Sequence, residues 1–291
     1  MTITLKNGKL ICDINPEQGA CIAGLWHNHI PVLRSTPGAQ LQSVRECASY
    51  PLVPYSNRQA FAQFQWQGQR FSLAKNFDPE PHAIHGVGWQ RPWQLASHAI
   101  GPGTPTSTVT LSLEHAPDDS WPFAFSASQT ISLHEDALEL RMAVTNRASV
   151  AAPAGLGWHP YFAKHVSDHL AFEAQGRWEM DADKLPTRRL PNPGLRQDCA
   201  DLSVDHCFDG WGGKAVLRNA RFVLTITSDL TCLVVFTRPE RDNIAIEPVS
   251  HVNNALNLVA DGVATAQALG VRLLEPGETF AAQMRIAIEV V

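Results

Sequence analysis

The sequence predicts an all-β protein, a large antiparallel sandwich or closed barrel with very little helix. Three observations carry that reading. Apolar and polar residues alternate with period two in run after run, as half-buried strands require. Short Gly, Asn and Asp pairs separate the runs. Helical periodicity is weak everywhere except in HVNNALNLVADGVATAQAL, which has room for a turn or two and itself contains breakers.

Taken in order, ITLKNGKLICDI reads as two strands joined at Asn7-Gly8, a pair suited to positive φ in a tight hairpin. FQWQGQRFSL repeats the design around Gln67-Gly68. STVTLSLEH alternates, and FAFSASQTISL places Phe123, Phe125, Ala127, Ile131 and Leu133 on one side. After a turn at Glu135-Asp136, ALELRMAV answers it as an antiparallel partner would. KAVLRNARFVLTITS, CLVVFT, NIAIEPV and QMRIAIEVV supply the later strands. The Pro- and Gly-rich pieces GPGTPT and LPTRRLPNPGL read as surface loops. No low-complexity linker or internal repeat divides the chain, so residues 1–291 are expected to form one domain.

Composition narrows the function classes. The chain has 291 residues, 44% hydrophobic and 18% charged, which is the balance of a globular protein with a sizeable core. A formal charge of −5 leaves no basic footprint, so neither nucleic acid nor an anionic membrane is an expected partner. No stretch approaches the ~18 continuous apolar residues of a membrane span. The first residues lack the charged and apolar regions of a signal peptide. Six cysteines (Cys12, Cys21, Cys47, Cys199, Cys207, Cys232) lack C-x-x-C spacing and read as reduced thiols. The expectation is a cytoplasmic protein.

Five places set polar groups in apolar or aromatic company. In PLVPYSNRQAF, Asn57 and Arg58 sit between Tyr55 and Phe61, and arginine's fixed fork of donors suits hydroxyls or carboxylates; a plain surface arginine is the alternative. In PHAIHGVGWQRPW, His85 precedes Gly86 and lies near Trp89, whose ring suits the apolar face of a sugar. His82 and His85 have metal-like spacing, but no further ligand follows at a matching distance. In AGLGWHPYFAKH, the proline makes His159 extended, and Trp158, Tyr161 and Phe162 restrict it. Such a histidine is either a hydrogen-bonded core residue or a proton donor of fixed direction. In VDHCFDGWGG, Asp205 or Asp209 can accept from hydroxyls and Trp211 can wall a site; a loop acid beside a turn is the simpler reading. In NIAIEPVSHVNNALN, Glu247 ends an apolar run before a proline, in a setting where glutamate is costly. No G-x-S-x-G elbow, P-loop or dinucleotide fingerprint occurs.

In the order SNR, IHG, GWHPYF, VDHCF, IEPVSHVNNALN and GVRLLEPGETF, the chain resembles the aldose 1-epimerase (galactose mutarotase-like) family. The resemblance runs from residue 57 to about 280 and implies the galactose mutarotase-like supersandwich, with a monosaccharide bound in an open cleft. Carried over residue by residue, it implies Glu247 as general base and His159 as general acid. Arg58, His85, Asp205 and Asn57 become substrate-binding groups, and Asp209 receives no role. It implies no cofactor, no metal, and a monomer or weak homodimer. The chain departs from the galactose mutarotases at Gly86-Val87, at Pro248-Val249-Ser250, and at Asn254, where they carry an acid.

The implied reaction interconverts α and β anomers of a free aldohexose such as galactose or glucose. At reference pKa values, Glu247 would be ionised at pH 7 and His159 roughly a quarter protonated. Three rivals remain. A mutarotase for a phosphorylated or otherwise acidic sugar needs basic residues at the rim, for which Arg91, Arg238 and Arg241 are candidates. A catalytically silent carbohydrate-binding protein would not need an acid–base pair. A glycoside hydrolase would need a second convincing carboxylate.

Overall fold

The computed structural model describes residues 1–99 and 106–291. Of the GPGTPT stretch read as a loop, residues 101–105 lie outside the described residues. The strands assemble into large antiparallel sheets. A nine-stranded sheet runs from Gln94–Ala99 through the long meander Ser107–His115, Phe125–Leu133 and Ala137–Asn146, then Thr279–Val290, to Gly194–Asp198 at its far edge. An eight-stranded sheet includes Gly176–Met180, Val204–Asp209, Cys232–Thr237, Asn243–Val249 and the short Gly157–Trp158 and Pro51–Leu52. A four-stranded N-terminal sheet begins with the hairpin Ile3–Asn7 and Leu10–Asn15.

Period-two patterning becomes period-two burial. Along Phe125–Leu133 every second side chain is buried, including Gln129, which takes a core position among the apolar ones. Both ends of its amide are bonded: Nε2 donates to the carbonyl of Ala20 at 3.0 Å, and Oε1 accepts from Trp158 Nε1 at 2.9 Å. The sheet meander is thereby tied to the segment that precedes His159. Ala137–Asn146 pairs with Phe125–Leu133 in unbroken register from Leu133↔Leu138 to Phe125↔Asn146, the antiparallel partnership expected.

The two hairpin turns differ. Trp66↔Gln69 closes on Gln67 and Gly68, both at positive φ, as a type I′ turn requires. Asn7↔Leu10 closes on Gly8 and Lys9 instead, with only Gly8 at positive φ, so the first turn sits one residue later than expected. LPTRRLPNPGL is not a loop: Pro186–Pro191 and Gly194–Asp198 are strands, each at an edge of a different sheet. Proline removes a ladder donor and is confined to such edges, so the prolines marked an edge and not an absence of strand. The only α-helix among the described residues, Ala255–Ala260, falls where the weak helical signal lay. All six cysteines are free and buried. Among the described residues, no helix is long and apolar enough to cross a membrane.

Candidate active site

Cross-strand register builds one wall of a cleft. Val234 pairs with Glu247, and one row along, Asp205, Phe236, Ala245 and Tyr161 stand opposite one another on four neighbouring strands. Directly paired residues share a face, so Glu247, Asp205, Val234, Phe236 and Tyr161 all look the same way. They line a cleft of about 490 Å³. His159 enters from the segment between Gly157–Trp158 and Tyr161–Ala163, its N–H donating to the Tyr50 carbonyl at 3.0 Å. Asn57, Arg58 and His85 line the cleft as well, so all six proposed site residues border the same cavity.

The centre of the cleft is a carboxyl–imidazole contact. His159 Nε2 lies 3.2 Å from Glu247 Oε1, and both side chains are almost fully buried. The imidazole is held between the rings of Tyr50 and Tyr161, with centroids 4.8 and 4.4 Å away. Tyr161 Oη lies 3.5 Å from Nε2 and 3.4 Å from Tyr50 Oη. Glu247 Oε2 and His159 Nδ1 are buried without hydrogen-bond partners. Unmet polar atoms of this kind are costly unless a ligand or water meets them.

Burial changes the protonation expected from the sequence. It pushes the Glu247 carboxyl well above the usual carboxylate range, with Asp205 adding to the rise and Arg58 opposing it. It pulls the His159 imidazole down to about 3, helped by the Arg34 charge. The expectation of an ionised Glu247 facing a partly protonated His159 is therefore corrected. The pair shares one proton, and its favoured form is neutral.

Asn57 and His85 clasp each other. His85 N–H donates to the Asn57 carbonyl at 2.9 Å, and Asn57 N–H donates to His85 Nδ1 at 3.1 Å. Since Nδ1 accepts, the proton of neutral His85 sits on Nε2, the remaining donor position. Burial, His159 and Arg58 hold His85 well below the usual histidine range, so it stays in that neutral form. Both residues have left-handed backbones, φ 55° for Asn57 and 64° for His85, an uncommon conformation that the clasp stabilises. Gly86 is required for a different reason than expected: a Cβ there would stand 2.2 Å from the Val53 carbonyl oxygen. The glycine admits the chain's own backbone and not a ligand.

Arg58 is placed by Glu80, with its Nε and Nη2 each 3.4 Å from a carboxylate oxygen, and by Asn57 Oδ1. Burial raises the Glu80 carboxyl, but hydrogen bonds from Lys184 and Arg58 outweigh it and hold the group below its usual range. Asp205 is half-buried and faces the cleft with no ion-pair partner among the described residues.

Several expectations fail on position. Asp209 accepts from Trp178 Nε1 at 2.7 Å and from both Arg189 donors, away from the cleft. Trp211 donates to the Lys214 carbonyl, and Trp89, buried, backs Tyr50 and His85 without reaching the cavity. The aromatic side chains that line the cleft are instead Tyr50, Tyr161, Phe77 and Phe236. Both ring nitrogens of His82 are used, Nδ1 accepting from Phe61 N–H and Nε2 bonded to the Asp183 carbonyl, which leaves none for a metal. Asn254 does not line the cleft; its Oδ1 accepts from Ala60 N–H and from Asn257. Arg91 pairs with Asp118 outside the site, whereas Arg238 and Arg241 lie at the rim. Sequence reasoning missed Tyr50, Arg34, Arg45, Glu80 and Lys184. None stands in a recognisable motif, and each reaches the cleft through long-range packing.

A β-sandwich with a polar, partly aromatic cleft and a buried acid–base pair is the setting of a sugar isomerase. The aldose 1-epimerase family model matches residues 1–287, and the chain belongs to that family of isomerases. It is 29% identical over 312 residues to the uncharacterized protein YphB of Escherichia coli K12, covering 99% of both chains. It is 27% identical over 223 residues to the uncharacterized protein YihR of the same organism, covering 71% of this chain and 70% of that one. The crystal structure of an aldose 1-epimerase candidate from Escherichia coli K12 superposes with TM-score 0.87 at 25% identity, covering 100% and 99% of the two chains. A galactose mutarotase-like protein from Clostridium acetobutylicum follows with TM-score 0.85 at 18% identity, over 100% and 95%, a likeness of fold.

Proposed function

We propose that the protein interconverts the α and β anomers of an aldohexose by acid–base ring opening and closure. The observation that carries this reading is the buried Glu247–His159 contact of 3.2 Å at the centre of a cleft of monosaccharide size. Glu247 takes the proton of the C1 hydroxyl while His159 gives a proton to the ring oxygen, and the C1–O5 bond breaks. Rotation about C1–C2 exposes the other carbonyl face, and the transfers run backwards on closure. The site starts and ends with one shared proton, so no cofactor is consumed.

Before the reaction the shared proton must sit on His159. The 3.2 Å contact is short enough for that transfer, and the Arg58 charge favours the ionised carboxylate. The unmet Glu247 Oε2 and His159 Nδ1 give the pair further hydrogen-bonding capacity for the sugar. Arg58, Asn57, His85 and Asp205 hold its hydroxyls, His85 as an Nε2 donor and Asp205 as an acceptor. Acid–base assistance of about 10²–10⁴-fold, with orientation, supplies the catalysis such a reaction requires.

The test is polarimetry of freshly dissolved α-D-galactose and α-D-glucose with catalytic protein against buffer. Faster decay to the equilibrium rotation supports the reading. A decay equal to buffer at every protein concentration, with both sugars bound, would leave a carbohydrate-binding protein.

A further inference from the structure

The cleft is more basic than a neutral sugar needs. Six cationic side chains border it, and two of them, Arg58 and Lys184, are spent on Glu80. The other four, Arg34, Arg45, Arg238 and Arg241, have no carboxylate within ion-pair distance among the described residues, although Asp205 and Glu240 share the cavity. Three are seated on aromatic rings. The Arg34 guanidinium lies 3.9 Å from the Tyr161 centroid, that of Arg45 3.7 Å from Phe77, and that of Arg241 4.7 Å from Phe236. Stacking of this kind fixes the plane of the fork while leaving donors at its edge.

Register places two of these groups relative to the reacting centre. Phe236 stands two residues along its strand from Val234, the cross-strand neighbour of Glu247. At the strand rise of about 3.3 Å per residue, that is about 7 Å. Tyr161 lies in the same row as Phe236 through Ala245. Arg241, on Phe236, is thus displaced from Glu247 by the order of the length of a hexopyranose, while Arg34 sits on Tyr161, whose ring centroid lies 4.4 Å from that of His159. Arg238 and Arg241 are the first and last residues of a turn closed by Arg241 N–H donating to the Arg238 carbonyl at 3.1 Å. Arg34 is anchored by Nη2 on the carbonyls of Arg45 and Cys47, and its Nε is buried with no hydrogen-bond partner. A buried, unmet guanidinium donor calls for an acceptor.

We infer that these arginines form an oxyanion subsite, and that the preferred substrate is an aldose with a phosphate or carboxylate at the end remote from C1. The inference rests on the reading of the cleft as a mutarotase site and deepens it. Guanidinium forks match both oxyanions with paired, charge-assisted hydrogen bonds. C1 is placed at Glu247 and His159, and the charged end reaches toward the Arg238–Arg241 turn.

The experiment measures α/β exchange by NMR at anomeric equilibrium, using D-glucose, D-galactose, D-glucose 6-phosphate and D-glucuronate. The two anionic probes separate a phosphate from a carboxylate. The expected result is a kcat/KM at least about tenfold higher for one anionic sugar than for glucose, expressed mainly in KM, and an advantage that shrinks as salt is added. In the double variant Arg238→Ala, Arg241→Ala, the ratio of anionic to neutral kcat/KM should fall toward one; in Arg238→Lys, Arg241→Lys it should recover in part. Equal kcat/KM for neutral and anionic sugars would overturn the subsite while leaving the mutarotase intact. An anionic preference unchanged in the alanine variant would overturn it as well. Exchange that matches buffer for all four sugars would overturn both readings.

Discussion

His159 Nε2 and Glu247 Oε1 face each other at 3.2 Å inside a shell of two tyrosines. The contact joins a residue held between two short strands to one in the middle of a fully buried strand. Two ionisable groups this close titrate as one unit. Burial pulls the imidazole to about 3 and raises the carboxyl well above its usual range, so across the intervening pH the unit keeps one proton.

That single proton sets the pH profile. The acid limb of kcat/KM should lie well below pH 6.5, since the depressed His159 resists a second proton. The alkaline limb should lie above the ordinary glutamate range, where the shared proton is lost. A profile measured from pH 4 to pH 9 checks this; an acid limb centred near 6.5 would mean an exposed, independent histidine.

Arg58 depends on Glu80 for its direction. Glu80→Gln removes the charge but keeps the shape, so Arg58 and Lys184 lose their shared anchor. Sugar KM should rise by about three- to tenfold with a smaller change in kcat, the pattern of weakened binding common to ground and transition states. Steady-state kinetics at fixed pH would read the split.

Gln129 is a structural link to the segment that carries His159. Gln129→Leu leaves the buried Trp158 Nε1 and the Ala20 carbonyl without their partner, which should cost about 1–3 kcal/mol. Urea denaturation would measure it. Trp158 immediately precedes His159, so activity should fall too, at temperatures where the variant remains folded.

Acid should destabilise the fold below pH 6.5. His85, His159 and His251 are all held below the usual histidine value, chiefly by burial. Ser56 N–H donates to His251 Nε2 at 3.1 Å, a bond that protonation of Nε2 would break. Each group is neutral when folded but takes a proton when unfolded below 6.5. The stability is therefore fully present above 6.5 and is lost as pH falls toward the folded values. One such group contributes a slope of up to about 1.4 kcal/mol per pH unit. Denaturation midpoints at pH 7, 6 and 5 should decline in order, and less steeply in a His251→Gln variant that still folds.

Much of the architecture was legible because alternation is a local signal with a direct structural consequence. Ser107–His115 and Phe125–Leu133 bury alternate residues as their sequences read. Punctuation was less secure: Gly8 moved its turn by one residue, and the prolines of LPTRRLPNPGL marked edge strands. In the site, His159 and Glu247 stood out because each adjoins a proline in aromatic or apolar company. Tyr50 and Glu80 gave no such signal, since their roles come from neighbours far away in the chain. The tryptophans misled because a large ring is as useful behind a wall as on it. Reference pKa values misled for a related reason: they belong to solvated groups, and desolvation of Glu247 and His159 exists only once the sheet and its covering segments have closed.

The account rests on Glu247 and His159 acting together on one sugar. The most direct measurement is α/β exchange of galactose by NMR in the wild type, Glu247→Gln and His159→Asn, with sugar affinity measured by calorimetry on the same samples. The account predicts exchange reduced by at least about 10²-fold in each variant, with affinity changed little. Near-normal exchange in either variant, with the protein folded and the sugar bound, would contradict it.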